Sequence, residues 1–142
     1  MKFFTLAIAA LFLLLGSCKK NGTNTTSTSV IGTWEIRSIQ GSIPVITCPP
    51  GNDSLLKFTA TNYMIYSKGQ LIKSGNYTIV EDSSFDALIV PSDQFKHRII
   101  YDGDTTSFKK YFQVTGKKLT IISGIFALDS GLKVEFERLT EM

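Results

Sequence analysis

The side chains that could do covalent or metal chemistry are few and scattered in this chain. His97 is the single histidine, and it has no cysteine or second histidine nearby. A zinc site needs three or four converging ligands, and a serine hydrolase needs a base beside its nucleophile. The sequence contains no Gly-x-Ser-x-Gly turn to present such a nucleophile. We therefore expect no catalytic residues, no metal site and no cofactor, and an enzyme is the least favoured class.

Acidic residues occur mostly in segments typical of turns, where an aspartate side chain bonds the nearby backbone without any catalytic role. Asp102-Gly103-Asp104 shares two acidic positions with a calcium-binding loop but lacks the rest of that pattern, including its final glutamate. We interpret this segment as a turn.

The most distinctive residue is Cys18, which follows a basic start and an apolar run over residues 3–15. That run is too short to span a bilayer, and its flanks are typical of a cleavable export signal. Leu15-Gly16-Ser17-Cys18 resembles the lipobox of bacterial lipoproteins, in which the cysteine is lipidated and becomes the new N-terminus. The resemblance implies a signal peptide over residues 1–17 and a lipid anchor on Cys18. Each buried methylene of such an anchor contributes about 0.8 kcal/mol.

The lipoprotein resemblance implies a location in the cell envelope, and the alternative is an ordinary signal peptide or short anchor followed by an incidental cysteine. Lys19 and Lys20 stand where an aspartate would indicate retention at the inner membrane, which favours the outer membrane. Lipidation would consume the thiol of Cys18 and leave Cys48 as a lone thiol, with no adjacent base to activate it. We interpret Cys48 as a small loop residue.

Charge and length indicate one domain behind a tether. The first 17 residues contain one of the 15 basic side chains and none of the 12 acidic ones, so the remainder is nearly balanced and does not indicate a nucleic acid partner. Residues 18–29 hold no large apolar side chain and predict a flexible lipidated tether. Residues 30–142 are enough for one compact domain.

Alternation of apolar and polar residues with a period of two runs through this domain and predicts strands. Short turn signals separate them, and no sustained helical period follows the signal. Many short strands joined by tight turns indicate an antiparallel barrel or sandwich, and sequential hairpins favour the barrel. The predicted fold class is therefore all-β, an antiparallel up-and-down β-barrel of about eight strands, with strands at 34–36, 56–58, 63–67, 71–80, 87–90, 97–101, 111–115, 119–123 and 133–139.

One connection is longer than the others. Residues 41–53 contain three prolines together with Ile43, Val45 and Ile46. Because exposed aliphatic side chains on a loop are unfavourable unless they pack on something, we expect this loop to fold across the open end of the barrel, in contact with inward residues.

Three short motifs resemble the lipocalin-like or calycin group, in particular the small lipocalin-like lipoproteins of Gram-negative envelopes. They are Gly32-Thr33-Trp34, Gly75-Asn76-Tyr77 and Phe136-Glu137-Arg138. The resemblance implies that Trp34 lies across the closed end of a barrel, with a basic residue of the last strand over its ring. Arg138 shares a strand face with Val134 and Phe136, so we expect it to be that residue, with a structural role.

Aromatic residues occur in nearly every predicted strand and leave two functions open. The resemblance implies a barrel that takes a small hydrophobic ligand in a cavity lined by Leu56, Phe58, Tyr77 and Phe112. The alternative is a filled barrel that presents its loops to an envelope protein as an accessory subunit or inhibitor. Exposure of Ile43, Val45 and Ile46 would favour the alternative. The partners predicted are thus a membrane through the lipid anchor, a small hydrophobic ligand and an envelope protein.

Overall fold

The structure is a computed structural model of the chain, and it describes residues 29–41, 44–84, 94–124 and 131–140. Those residues form nine β-strands and no α-helix, and so none of them belongs to a helix long and apolar enough to cross a membrane. Cys18, the signal peptide, the tether up to residue 28, Ile43 and the predicted strand at 87–90 lie outside the described residues. The strands are β1 (Gly32–Gln40), β2 (Ile46–Thr47), β3 (Leu55–Phe58), β4 (Asn62–Ser67), β5 (Gln70–Glu81), β6 (His97–Tyr101), β7 (Lys110–Thr115), β8 (Lys118–Ser123) and β9 (Leu132–Arg138).

Eight of these strands close into an antiparallel barrel. From β3 to β9 each strand pairs with the next, β1 pairs with β3, and β9 pairs back with β1. The pairing of β1 with β9 excludes an open sandwich, and it confirms the predicted up-and-down barrel. This topology is consistent with a lipocalin-like fold.

The two ends of the barrel are packed differently. The interior is filled where β1 begins and β9 ends, by side chains that include Trp34, Phe58, Val114 and Leu119, all of them almost completely buried. We call this part the closed half. At the opposite end lie the connections that follow β1, β4, β6 and β8, and here inward positions remain partly exposed. We call this end the mouth.

The long loop after β1 extends the wall of the barrel. β3 has only four residues and covers only the first part of β1. Beyond it, β2 pairs with Ser38 and Ile39 on the same edge, and the Cys48 N–H donates to the Arg37 carbonyl at 2.8 Å. The loop therefore satisfies backbone groups that the short β3 would leave unpaired.

This arrangement corrects the prediction that the loop folds across the open end. Val45 and Ile46 remain 55 % and 45 % exposed, so they are not buried against the interior. Between β2 and β3 the chain instead passes over the outer face of β1, where it covers Glu35. Burial by itself would raise the pKa of Glu35, but hydrogen bonds from Arg37 and from the backbone of Gly51 and Asn52 outweigh it and lower the pKa.

Candidate ligand-binding cavity

A cavity of about 580 Å³ opens at the mouth of the barrel. This volume lies within the range of roughly 300–1,000 Å³ that is typical of small-molecule sites. Its wall is largely apolar, and its rim carries charged and hydroxyl groups. The apolar wall includes Leu56, Ile65, Ile121, Val134 and Phe136, and the polar residues are Tyr63, Lys73, Tyr101, Asp102, Asp104, Ser107, Lys110 and Ser123, with Leu132 completing the lining.

Strand register places these side chains on one face. Paired residues of adjacent strands share a face of the sheet, and every second residue returns to that face. Ile121 pairs with Val134 between β8 and β9, and Ile65 pairs with Lys73 between β4 and β5. The inner face therefore contains both the aliphatic wall and the lysine of β5.

Asp102 closes the wall between β5 and the connection that follows β6. Its Oδ2 accepts a hydrogen bond from the Tyr63 hydroxyl at 2.6 Å and lies 3.4 Å from the Lys73 ammonium. Its Oδ1 accepts from the backbone N–H of Asn76 at 3.0 Å. The hydrogen bond from Tyr63 is the main cause that holds the pKa of Asp102 below its usual range. We call Asp102, Tyr63 and Lys73 the rim latch.

The backbone allows this approach at two places. Asp102 and Gly103 have φ angles of 54° and 71°, so they form a turn with left-handed residues, a conformation that aspartate and glycine tolerate. Across from this turn, a Cβ on Gly75 would lie 1.9 Å from Oδ1 of Asp102. Gly75 therefore leaves the space that the carboxylate occupies.

Asp104 is engaged with its own loop. Its Oδ1 accepts from the N–H and hydroxyl of Thr106 at 2.9 and 2.7 Å, and its Oδ2 accepts from the Ser107 hydroxyl. These bonds keep the pKa of Asp104 below its usual range, first through the Ser107 side chain. The segment is thus a turn, and no group of three metal-ligating side chains forms anywhere in the described ranges.

Lys110 and Tyr101 provide two further polar groups of the wall. The Lys110 Nζ lies 5.9 Å from the centre of the Tyr101 ring. That ring packs edge to face on Tyr63, with centroids 4.6 Å apart, and its hydroxyl has no hydrogen-bond partner among the described residues. Burial raises the pKa of Tyr101, so the hydroxyl keeps its proton and can donate it in a hydrogen bond.

Of the four residues predicted to line the ligand cavity, only Leu56 belongs to the wall of the cavity at the mouth. Phe58, Tyr77 and Phe112 belong to the packed core below the cavity. Phe58 and Tyr77 pack edge to face at 4.9 Å, and the Tyr77 hydroxyl donates to the Thr59 carbonyl at 2.7 Å. Alternation in the sequence identifies the inner face of a strand, but it does not tell how far along the barrel axis a residue lies.

Lys73 and Lys110 were not among the residues proposed from the sequence. A usable signal was present, because Lys110 lies two residues before the inward Phe112 and Lys73 lies four before the inward Tyr77. A lysine on the inner face of a barrel strand cannot belong to a packed apolar core, and it therefore indicates an open part of the interior.

The closed half contains the contact expected between Trp34 and Arg138. The guanidinium lies 4.3 Å from the centre of the indole, and it donates to the Ile31 carbonyl at 3.1 Å. The indole N–H donates to the Val30 carbonyl at 2.7 Å. Gly32 has a φ angle of 137°, and a Cβ there would meet the guanidinium at 3.2 Å. Glycine therefore makes room for the arginine beside the tryptophan.

A serine and a lysine meet on the outer wall, away from the cavity. The Lys109 Nζ lies 2.8 Å from the Ser84 hydroxyl and 3.1 Å from Asp82. A serine beside a lysine is a nucleophile and base pair in some hydrolases. The hydrogen bond to Asp82 raises the pKa of Lys109, so the ammonium keeps its proton and cannot act as that base. This cluster is an ion-pair network on the outer wall.

Comparison of the chain with protein-family models, with curated proteins and with solved structures finds no match in any of the three. The protein is therefore defined by its architecture, a closed up-and-down β-barrel with a packed half and a cavity at its mouth.

Proposed function

We propose that the protein is a lipid-anchored envelope lipoprotein whose barrel binds a small hydrophobic ligand at its mouth. The observation that carries the binding proposal is the cavity of about 580 Å³ with its aliphatic and aromatic wall. Burial of apolar ligand surface against this wall would stabilise the complex by about 25 cal/mol per Å² before the costs of association.

The place where the described chain begins is compatible with a tether. Ser29 lies at the closed half, where its carbonyl accepts a hydrogen bond from Arg138 at 3.4 Å. A polar coil of about a dozen residues averages on the order of 20 Å end to end. An anchor on Cys18 would then hold the closed half near the membrane and leave the mouth accessible to ligand.

Native mass spectrometry of the protein purified from expressing cells tests ligand binding. We expect a non-covalently bound mass of a few hundred daltons, which denaturation releases and which is absent in Ile121→Trp because the larger ring fills the cavity. Gln113→Trp on the adjacent strand is the matched control, since residue 113 pairs with Thr120 on the outer face. If the wild-type protein carries no such bound mass and takes up no added hydrophobic probe, ligand binding is refuted.

Fractionation tests the anchor separately. We expect Cys18→Ser to move the protein from the membrane fraction to the soluble fraction, because the tether itself contains no apolar anchor. Ser17→Ala, which keeps a small residue before the cysteine, should stay in the membrane fraction. A processed Cys18→Ser protein that remains in the membrane would contradict lipidation.

A second candidate function is that of an interaction protein that acts through the loops at the mouth. The exposure of Val45 and Ile46, and of Phe108 at 66 %, favours this candidate. Phe108→Ser would then abolish cross-linking to an envelope partner and leave the bound mass unchanged. Loss of the bound mass in the same variant would instead assign Phe108 to the ligand.

A further inference from the structure

We propose that the ligand of the mouth cavity is an amphiphile with one anionic group, and that the Lys110 ammonium holds this group. The inference rests on the proposed binding function and specifies the chemical class of the ligand. Three features of the cavity carry it: the position of Lys110, the engagement of the nearby carboxylates and the apolar wall opposite them.

Lys110 points into the barrel. It pairs with Ile99 on β6 and with Ser123 on β8, and it precedes the inward Phe112 by two residues. Its ammonium lies 5.9 Å from the centre of the Tyr101 ring, and this attraction is weak at a partly exposed site. No carboxylate of the described residues lies within ion-pair distance of Lys110. Its charge is therefore uncompensated within the cavity wall.

The two carboxylates of the cavity are both engaged elsewhere. Asp102 is bound by Tyr63, by the Asn76 N–H and by Lys73. Asp104 is exposed at the rim, where it is surrounded by the N–H and hydroxyl groups of Thr106 and Ser107. Water screens the charge of Asp104 more strongly than that of the half-buried Lys110. An entering anion would therefore meet Lys110 as the open binding partner.

The rest of the wall sets the remaining chemistry of the ligand. Ile121, Val134 and Phe136 offer no hydrogen-bonding side-chain groups and suit an aliphatic or aromatic body. The Tyr101 hydroxyl, which has no partner in the described part of the chain, can donate a second hydrogen bond to an anionic oxygen. An apolar body with one carboxylate or sulfonate matches this arrangement, and a neutral apolar molecule would leave the lysine unpaired.

Two fluorescent probes with the same apolar body test the inference on the folded chain. One is 8-anilinonaphthalene-1-sulfonate, and the other is N-phenyl-1-naphthylamine, which lacks the sulfonate. A charge-assisted contact is worth about 1.5–3 kcal/mol, so we expect the anionic probe to bind about tenfold or more tightly than the neutral one. Lys110→Met should remove that advantage and leave the affinity for the neutral probe unchanged.

Lys109→Met is the matched control, because Lys109 is the adjacent residue and its ammonium contacts Asp82 on the outer wall. It should change neither affinity. Near-ultraviolet circular dichroism of each variant verifies that the anionic probe reports on folded protein, and Lys110→Gln replaces Lys110→Met if the methionine variant does not fold.

The possible results separate the inference from the proposed function. Equal affinities for the two probes, or an equal loss in Lys109→Met and Lys110→Met, would overturn the anion site while ligand binding stands. Binding of neither probe would overturn the cavity as a binding site and the anion site with it. A selective loss of the anionic probe in Lys110→Met supports both.

Discussion

The closed half and the mouth of this barrel are built from the same strands, yet they meet opposite requirements. In the closed half, inward polar groups are paired, as with the indole N–H of Trp34 and the hydroxyl of Tyr77. At the mouth, the inward Lys110 and Tyr101 keep donors that the described residues do not use. The difference shows that a packed, hydrogen-bonded half and an open half with unused donors are separated along the axis of the barrel.

The largest effect should come from the closed half. Trp34 is completely buried, and Trp34→Ala would leave a cavity beneath Arg138 and remove a buried hydrogen bond. We expect a loss of about 3–5 kcal/mol in the free energy of unfolding, measured by urea denaturation. Trp34→Phe should lose clearly less because most of the ring is retained. A loss below 1 kcal/mol for the alanine variant would mean that packing in the closed half does not contribute more to stability than packing at the mouth.

The next effect concerns the rim latch. A Cβ at residue 75 would overlap Oδ1 of Asp102 and crowd the Tyr63 ring at 2.9 Å. We expect Gly75→Ala to cost about 1–3 kcal/mol, since the latch must move to admit the methyl group. In an Asp102→Ala background the same substitution should cost less, because one of the two overlaps is gone. A double-mutant cycle by urea denaturation measures this coupling, and additive effects would contradict the close approach.

Acid sensitivity should come from the outer wall of the barrel rather than from the cavity rim. Asp82 accepts a hydrogen bond from Ser84 and contacts Lys109 and Arg98, and its pKa is lowered to about 2, with the Ser84 bond as the largest cause. A carboxylate whose pKa is lower in the folded state stabilises it above the unfolded pKa, and this contribution is lost as the pH falls toward 2. We expect a loss on the order of 1–2 kcal/mol between pH 4 and pH 2.

Asp82→Asn tests this assignment, because it should flatten the decrease in stability between pH 4 and pH 2. Asp102→Asn is the control at the mouth, where the ion pair with Lys73 is exposed and screened by solvent. We expect Asp102→Asn to change the decrease in stability between pH 4 and pH 2 less than Asp82→Asn does. Equal flattening in both variants, measured by urea denaturation across this pH range, would contradict the separation of the two regions.

The sequence predicted the barrel well because most strands alternate and most turns contain glycine or aspartate. Gly69 is an example, because the tight hairpin between β4 and β5 has φ angles of 50° at Lys68 and 76° at Gly69, and glycine favours the second of these conformations. The contact of Trp34 with Arg138 was also expected, because the lipocalin-like resemblance implies it and alternation in the last strand selects Arg138. These features depend on local periodicity and on short motifs, both of which a single sequence contains.

The site was predicted less well because it depends on register and on distance along the axis. Phe58 and Leu56 share one face of β3, but Phe58 lies in the packed core and Leu56 reaches the cavity. Similarly, the loop after β1 was expected over the mouth, whereas the shortness of β3 leaves an edge of β1 that the loop pairs with. Neither the ends of the strands nor their offset can be read from alternation alone.

The smallest effect should come from the apolar rim of the mouth. Phe108 and Ile72 are 66 % and 63 % exposed, so replacing them with serine removes little buried area. We expect Phe108→Ser and Ile72→Ser to change the free energy of unfolding by less than about 0.5 kcal/mol, in contrast to Trp34→Ala. Urea denaturation of both variants measures it. A loss above 1 kcal/mol for either would show that the rim packs on itself in solution, and the mouth would then be closed to ligand in the absence of a conformational change. If the free energy of unfolding does not change, Phe108 and Ile72 do not stabilise the fold. Their exposed apolar area would then be available to a ligand or a partner at the mouth.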